Sequence, residues 1–155
     1  MRLARRLLRM SGTVALWALV AAGTAHAVPG GEPTVEDLKA RVAAASVGDR
    51  PHLCVQIAER QLAVADKEYA AAEVEKGQAA LADVVHYSEL ARDYAIQSHK
   101  HEKQAEIAIR AMARKLTEMM HAMAHDDQAP AREAIDRLQT ARDDLLKAMF
   151  PKGAK

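Results

Sequence analysis

Aromatic side chains are nearly missing from this sequence: one Phe, one Trp and three Tyr in 155 residues. A core must therefore be assembled from Ala, Leu, Ile, Val and Met. There is a single cysteine, Cys54, so no internal disulfide can form. Leu53, Val55 and Ile57 surround it, which predicts a buried thiol, with intermolecular pairing as the other use of an odd exported cysteine. No G-x-S-x-G, phosphate loop, H-E-x-x-H, C-x-x-C or G-x-G-x-x-G pattern occurs. A Cys–His pair drawn from Cys54 and His52 or His86 lacks a base on the cysteine's own apolar face. The sequence offers no residue set for an enzyme. Strand-like runs of β-branched residues are also absent, and an Ala-rich, charge-rich composition predicts an all-α protein.

No apolar run is long enough to span a bilayer, which takes about 20 residues. A shorter one stands at the N-terminus. Arg2, Arg5, Arg6 and Arg9 form a basic region, Val14 to Gly23 an apolar one, and Ala25-His26-Ala27 a small-x-small cleavage site. This is the pattern of a cleavable secretory signal over residues 1–27, and it places the mature chain in the periplasm or outside the cell. No Cys follows the cleavage site, which argues against a lipoprotein. Removing the four arginines from 22 basic residues leaves 18 against 21 acidic ones, a net charge of −3. A mildly acidic exported chain has no electrostatic footprint for nucleic acid. Mixed charge on the polar faces and the lack of aromatic anchors argue equally against a membrane-surface helix.

What the sequence does have is helical periodicity. Residues 28–33, with two Pro and two Gly, read as a linker to a helical domain over 34–150 and a tail over 151–155. Thr34-Val35-Glu36-Asp37 has the form of a capping box and opens a short helix with Val35, Leu38 and Val42 on one side, ending at Gly48 as a C′ residue. Asp49-Arg50-Pro51 starts a second helix with the stripe Val55, Ala58, Leu62, Ala65, Tyr69, Ala72. A tight turn is expected at Ala71-Ala72-Glu73.

The longest stretch follows, Val74 to His125, without proline and with one glycine, Gly77. Gly77, Leu81, Val84, Ser88, Ala91, Ala95, Ser98, Glu102, Ala105, Ile109, Met112, Leu116, Met119 and Met123 recur in unbroken 4-3 alternation, the seam of a helix facing partners. As one rod it would be about 78 Å long. Ser98 to Lys103 forms a polar waist without an apolar seam residue. A break there would fold the chain into an up-down four-helix bundle; the unslipped heptad phase and the lack of a turn signal favour one continuous helix. Its waist would then be the place for a partner. Ala124 to Pro130 is a turn, with Asp126 or Asp127 capping a last helix that carries Ile135, Leu138, Ala141 or Arg142, Leu145 and Met149.

Ala65, Tyr69, the turn, Glu75-Lys76-Gly77 and Leu81 together resemble the helical hairpin of a tetratricopeptide repeat. The resemblance covers about 25 residues and occurs once. It departs from that family at Ala72, where glycine is usual, and no proline closes the second helix. It implies two closely crossing helices, not a solenoid, which needs several repeats. As a whole the chain resembles small exported all-helical proteins of bacteria, a resemblance that implies no activity. The expected architecture is three to four antiparallel helices: a short N-terminal helix, the tetratricopeptide-like hairpin, one long helix and a C-terminal helix.

One candidate site stands out. His121 and His125 are one helical turn apart, with Glu118 and Asp126 adjacent, and nearby Met119, Met120 and Met123 add thioethers. Imidazole with thioether suits copper or another transition metal. Glu118-x-x-His121 and the weaker Asp83-x-x-His86 also have the spacing of di-iron bundles. Against this, Met112, Met119 and Met123 lie on the seam and read as core, and His121 falls off it. His86, Glu89 and Asp93 share one face, and Arg110, Arg114 and Lys115 form a basic patch, expected to pair with Glu106 and Glu118. The function expected from the sequence is a non-enzymatic helical interaction or structural module, binding a protein partner or a second copy through its seams. A periplasmic metal-binding protein is the alternative.

Overall fold

The computed structural model describes residues 31–151, so the signal over residues 1–27, the start of the linker and most of the tail lie outside the described residues. Among the described residues five α-helices follow one another: α1 (Val35–Ala44), α2 (Arg50–Ala70), α3 (Val74–Ser98), α4 (Glu102–Ala122) and α5 (Gln128–Met149), with a 3-10 turn, His125–Asp127, before α5. No strand occurs among the described residues. The all-α class is as expected; the helix number is not, because the long stretch is two helices.

α1 starts as its sequence dictates. Thr34 Oγ1 accepts from the Asp37 N–H at 3.1 Å, and Asp37 Oδ2 accepts from the Thr34 N–H at 3.0 Å, closing the capping box. The helix is amphipathic through one buried residue, Leu38, which meets Leu53 and Ile57 of α2. It ends at Ala44 with Ala45 extended, four residues before Gly48, so Gly48 is not its left-handed cap. The Lys100 stem lies over it instead: a Cβ there would be 2.8 Å from Lys100 Cδ, a flexible side chain able to move aside. Glu32 and Pro33, within the expected linker, are tied to α2 by Arg60, which donates to the Pro33 carbonyl.

α2 takes Pro51 in its first turn, where the missing N–H costs nothing. Asp49 does not cap with its side chain; it accepts from the Ser46 hydroxyl at 2.6 Å. The helix ends at Ala70, and Ala71-Ala72-Glu73 form the turn in a Schellman arrangement. The Glu73 N–H donates to Glu68 O at 2.9 Å and the Ala72 N–H to Tyr69 O at 3.0 Å, with Ala72 left-handed at φ 60°. Glycine matters at position 77: a Cβ would sit 2.8 Å from the Tyr69 ring, so the ring of α2 lies directly on the backbone of α3.

The expectation of a continuous rod fails at the polar waist. α3 stops at Ser98 and α4 starts at Glu102, with His99 and His101 both left-handed at φ 53° and 62°. The physical reason is burial. In a rod each half of the seam would meet a single neighbour; after the reversal it meets two. Leu81, Val84, Ala91, Ala95, Ala105, Ile109, Met112, Leu116 and Met119 are all buried within one chain, so the seam is used internally.

Side-chain pairs define the arrangement. Gln61 Nε2 donates to Asp83 at 2.7 Å across the α2–α3 hairpin, and Arg142 to Glu106 at 2.9 Å across the α4–α5 hairpin. Glu89–Arg137 and Arg92–Asp144 run α3 and α5 parallel, while Asp66–Lys115 and the adjacent His52 and His101 rings run α4 parallel to α2. Round the bundle the order is α2, α3, α5, α4, and α1 covers one side of α2. No described helix is long and apolar enough to cross a membrane.

Candidate functional site

The residues singled out as metal ligands are not assembled on one helical face. Glu118 and His121 are exposed on the last turns of α4, which ends at Ala122 with Met123 extended. His125 and Asp126 belong to the following 3-10 turn, so the one-turn spacing of His121 and His125 is not helical. Among the described residues, no group of three or more His, Cys, Asp or Glu side chains is placed to hold a metal ion. Met112 and Met119 are core.

The other clusters resolve into structural pairs. Glu89 accepts both Nε and Nη2 of Arg137, at 3.0 and 2.7 Å, and Asp93 accepts from Arg92 at 2.8 Å, so neither carboxylate is directed to His86. Asp83 is bound by Gln61. Cys54 is fully buried, and burial pushes its thiol up to about 11, only partly offset by the Arg50 charge. A thiol held that far from its anion is a core side chain, not a nucleophile.

A polar constellation does form on the outer side of the α4–α5 hairpin. Arg110, Ala113, Arg114 and Thr117 of α4 face Gln139, Arg142 and Asp143 of α5 across a groove of about 390 Å³. At its edge lies Glu106, whose side chain is only 7% exposed. Its two oxygens hold two of the arginines: Oε1 accepts Arg142 Nε at 2.9 Å, and Oε2 lies 3.6 Å from Arg110 Nη2. Arg142 Nη1 is also 3.7 Å from Asp143. The sequence pattern foresaw the Glu106–Arg110 pair, one turn apart on α4. Lys115 of the same basic patch bonds neither Glu106 nor Glu118 but Asp66 of α2, at 3.1 Å. The sequence pattern also missed Gln139 and Arg142 as groove residues. Their only signal is that they flank the α5 stripe beside buried Leu138 and Ala141, and which helix they would face depends on the reversal at His99–His101.

Chemically, the groove presents guanidinium forks partly preorganised by a buried carboxylate. Arginine in that state recognises carboxylate or phosphate oxygens in pairs of hydrogen bonds. Two smaller pockets lie elsewhere: about 130 Å³ between α3 and α5, lined mostly by aliphatic groups, and about 110 Å³ between the C-terminal ends of α2 and α4, beside Tyr69. Comparison of the chain with protein-family models, with curated proteins and with solved structures finds no match.

Proposed function

We propose that this chain is a non-enzymatic, exported helical interaction module whose partner surface is the α4–α5 groove. The observation that carries the reading is the set of three arginines lining one open groove, two of them held by buried Glu106. The seams proposed from the sequence as docking faces are occupied inside the bundle, which shifts the interaction surface to this polar trough. The tetratricopeptide-like hairpin of α2 and α3 serves as the rigid support, with Tyr69 seated on Gly77. Export rests on the basic, apolar and small-x-small succession of residues 1–27.

Two measurements test it. Expressed with its leader in a bacterial host, the protein should be recovered outside the cytoplasm beginning at Val28; a cytoplasmic product retaining residues 1–27 would overturn export. A photo-crosslinker at Gln139 should capture a discrete partner that Arg114→Glu abolishes, while the same group at exposed Ala79 on α3 captures none. Equal capture at both positions would overturn the groove as the interaction surface.

A further inference from the structure

The α3–α4 turn brings together two histidines 49 positions apart in the chain. The ring of His101 lies with its centroid 5.7 Å from that of His52 in the first turn of α2, at an interplanar angle of 48°. His101 is the N-cap residue of α4, yet its side chain makes no capping hydrogen bond. His52 is exposed and His101 half-buried, so the pair opens to solvent at one end of the bundle. Imidazole nitrogens bind transition metals at about 2.0–2.1 Å, and a ring nitrogen sits roughly 1.1 Å from its ring centre. Two imidazoles on one ion therefore have centroids about 5–6.5 Å apart, a range that includes this pair.

We propose that His52 and His101 form a two-imidazole site for a divalent transition metal ion, with water completing its coordination, which fastens the α3–α4 turn to α2. Imidazole selects copper, zinc and nickel over magnesium or calcium, and copper binds tightest of the three. The Asp49 carboxylate, one turn before His52, accepts from the Ser46 hydroxyl at 2.6 Å. Lys100 lies with its stem against Gly48, and His99 is turned toward Glu102, 3.5 Å from Oε1. The site is separate from the His121/His125 stretch and independent of the α4–α5 groove.

Titration of the untagged protein with copper, zinc and nickel chlorides, followed calorimetrically and by imidazole NMR signals, tests the proposal. One ion per chain is expected, with the His52 and His101 resonances shifted by zinc and broadened by copper. His52→Gln and His101→Asn should each weaken binding roughly tenfold or more, since losing even an outer-shell partner costs 10–100-fold. Asparagine is chosen at 101 because it tolerates the left-handed backbone, and circular dichroism confirms that the variant is folded. His121→Ala/His125→Ala should bind as the parent does. No saturable binding, binding unchanged in His52→Gln, or binding lost in the His121→Ala/His125→Ala variant would each overturn it.

Discussion

Replacing Glu106 separates the groove's energetics from its recognition chemistry. The carboxylate is 7% exposed, while Arg142 and Arg110 are 35% and 43% exposed. A hydrogen bond to a charged group contributes about 1.5–3 kcal/mol when desolvated. Both guanidiniums keep more than a third of their surface in water, so screening reduces that figure to about 1–2 kcal/mol. Glu106→Gln keeps the shape and one acceptor for Arg142 Nε but removes the charge, and should lower unfolding free energy by about 1 kcal/mol in urea titrations. Glu106→Met removes the carboxylate altogether and leaves Arg110 and Arg142 to be solvated, and should cost about 1–2 kcal/mol, less what its apolar contact next to Ala105 and Ile109 returns. Both variants remove the charge that holds Arg110 and Arg142, so both should weaken capture at Gln139, Glu106→Met more than Glu106→Gln. A double-mutant cycle between Glu106→Gln and Arg142→Gln should give a coupling near 1 kcal/mol. Coupling indistinguishable from zero would refute the claim that the carboxylate organises the groove, whatever the single variants do.

Three further outcomes follow from the backbone and core. Ala72→Gly removes a left-handed penalty of about 1–2 kcal/mol at the cost of extra unfolded-state entropy, for a net gain of about 0.5–1 kcal/mol and a higher Tm by calorimetry. Gly77→Ala pushes a methyl into the Tyr69 ring and should cost about 1–3 kcal/mol; Gly77→Ala with Tyr69→Leu should recover part of that loss. Cys54, raised to about 11 by burial, contributes stability that is complete below the unfolded thiol's range and declines as pH rises from there through about 11. Iodoacetamide should label it only on unfolding at pH 8, and rapid native-state labelling would contradict its burial.

What could be read from the sequence is what local chemistry decides. The Thr34–Asp37 box and the turn at residues 71–73 each depend on a few neighbouring residues, whereas Asp127 stands at the N-cap position of α5 without the expected side-chain capping bond. Seam burial followed from period alone, since Leu81, Val84, Ile109 and Leu116 are interior whether or not the helix bends. The reversal at residues 99–101 was hidden because histidine, unlike Gly or Pro, seldom marks a chain reversal, although it enters the left-handed region more readily than most residues. The spacing of His121 and His125 places them one turn apart only if the helix continues, and α4 ends between them. The groove needed both the reversal and the facing of α5, which is tertiary information.

The reversal also shows which term wins at the waist. Two left-handed histidines cost about 1–2 kcal/mol each. Full burial of an Ile, Leu or Met side chain contributes about 1.5–3 kcal/mol, and α4 alone brings Ile109, Met112, Leu116 and Met119 into the core. Even if a rod buried half of that surface against α5, the remainder offsets the strain. The polar waist has no apolar seam residue to keep it packed as helix, so the bend falls there. The turn is held by Lys100 against Gly48 and by the His101 ring near His52. Those few contacts join the two hairpins at that end of the bundle, so a ligand bridging His52 and His101 would act on the joint between them. It would leave the packing within each hairpin unchanged.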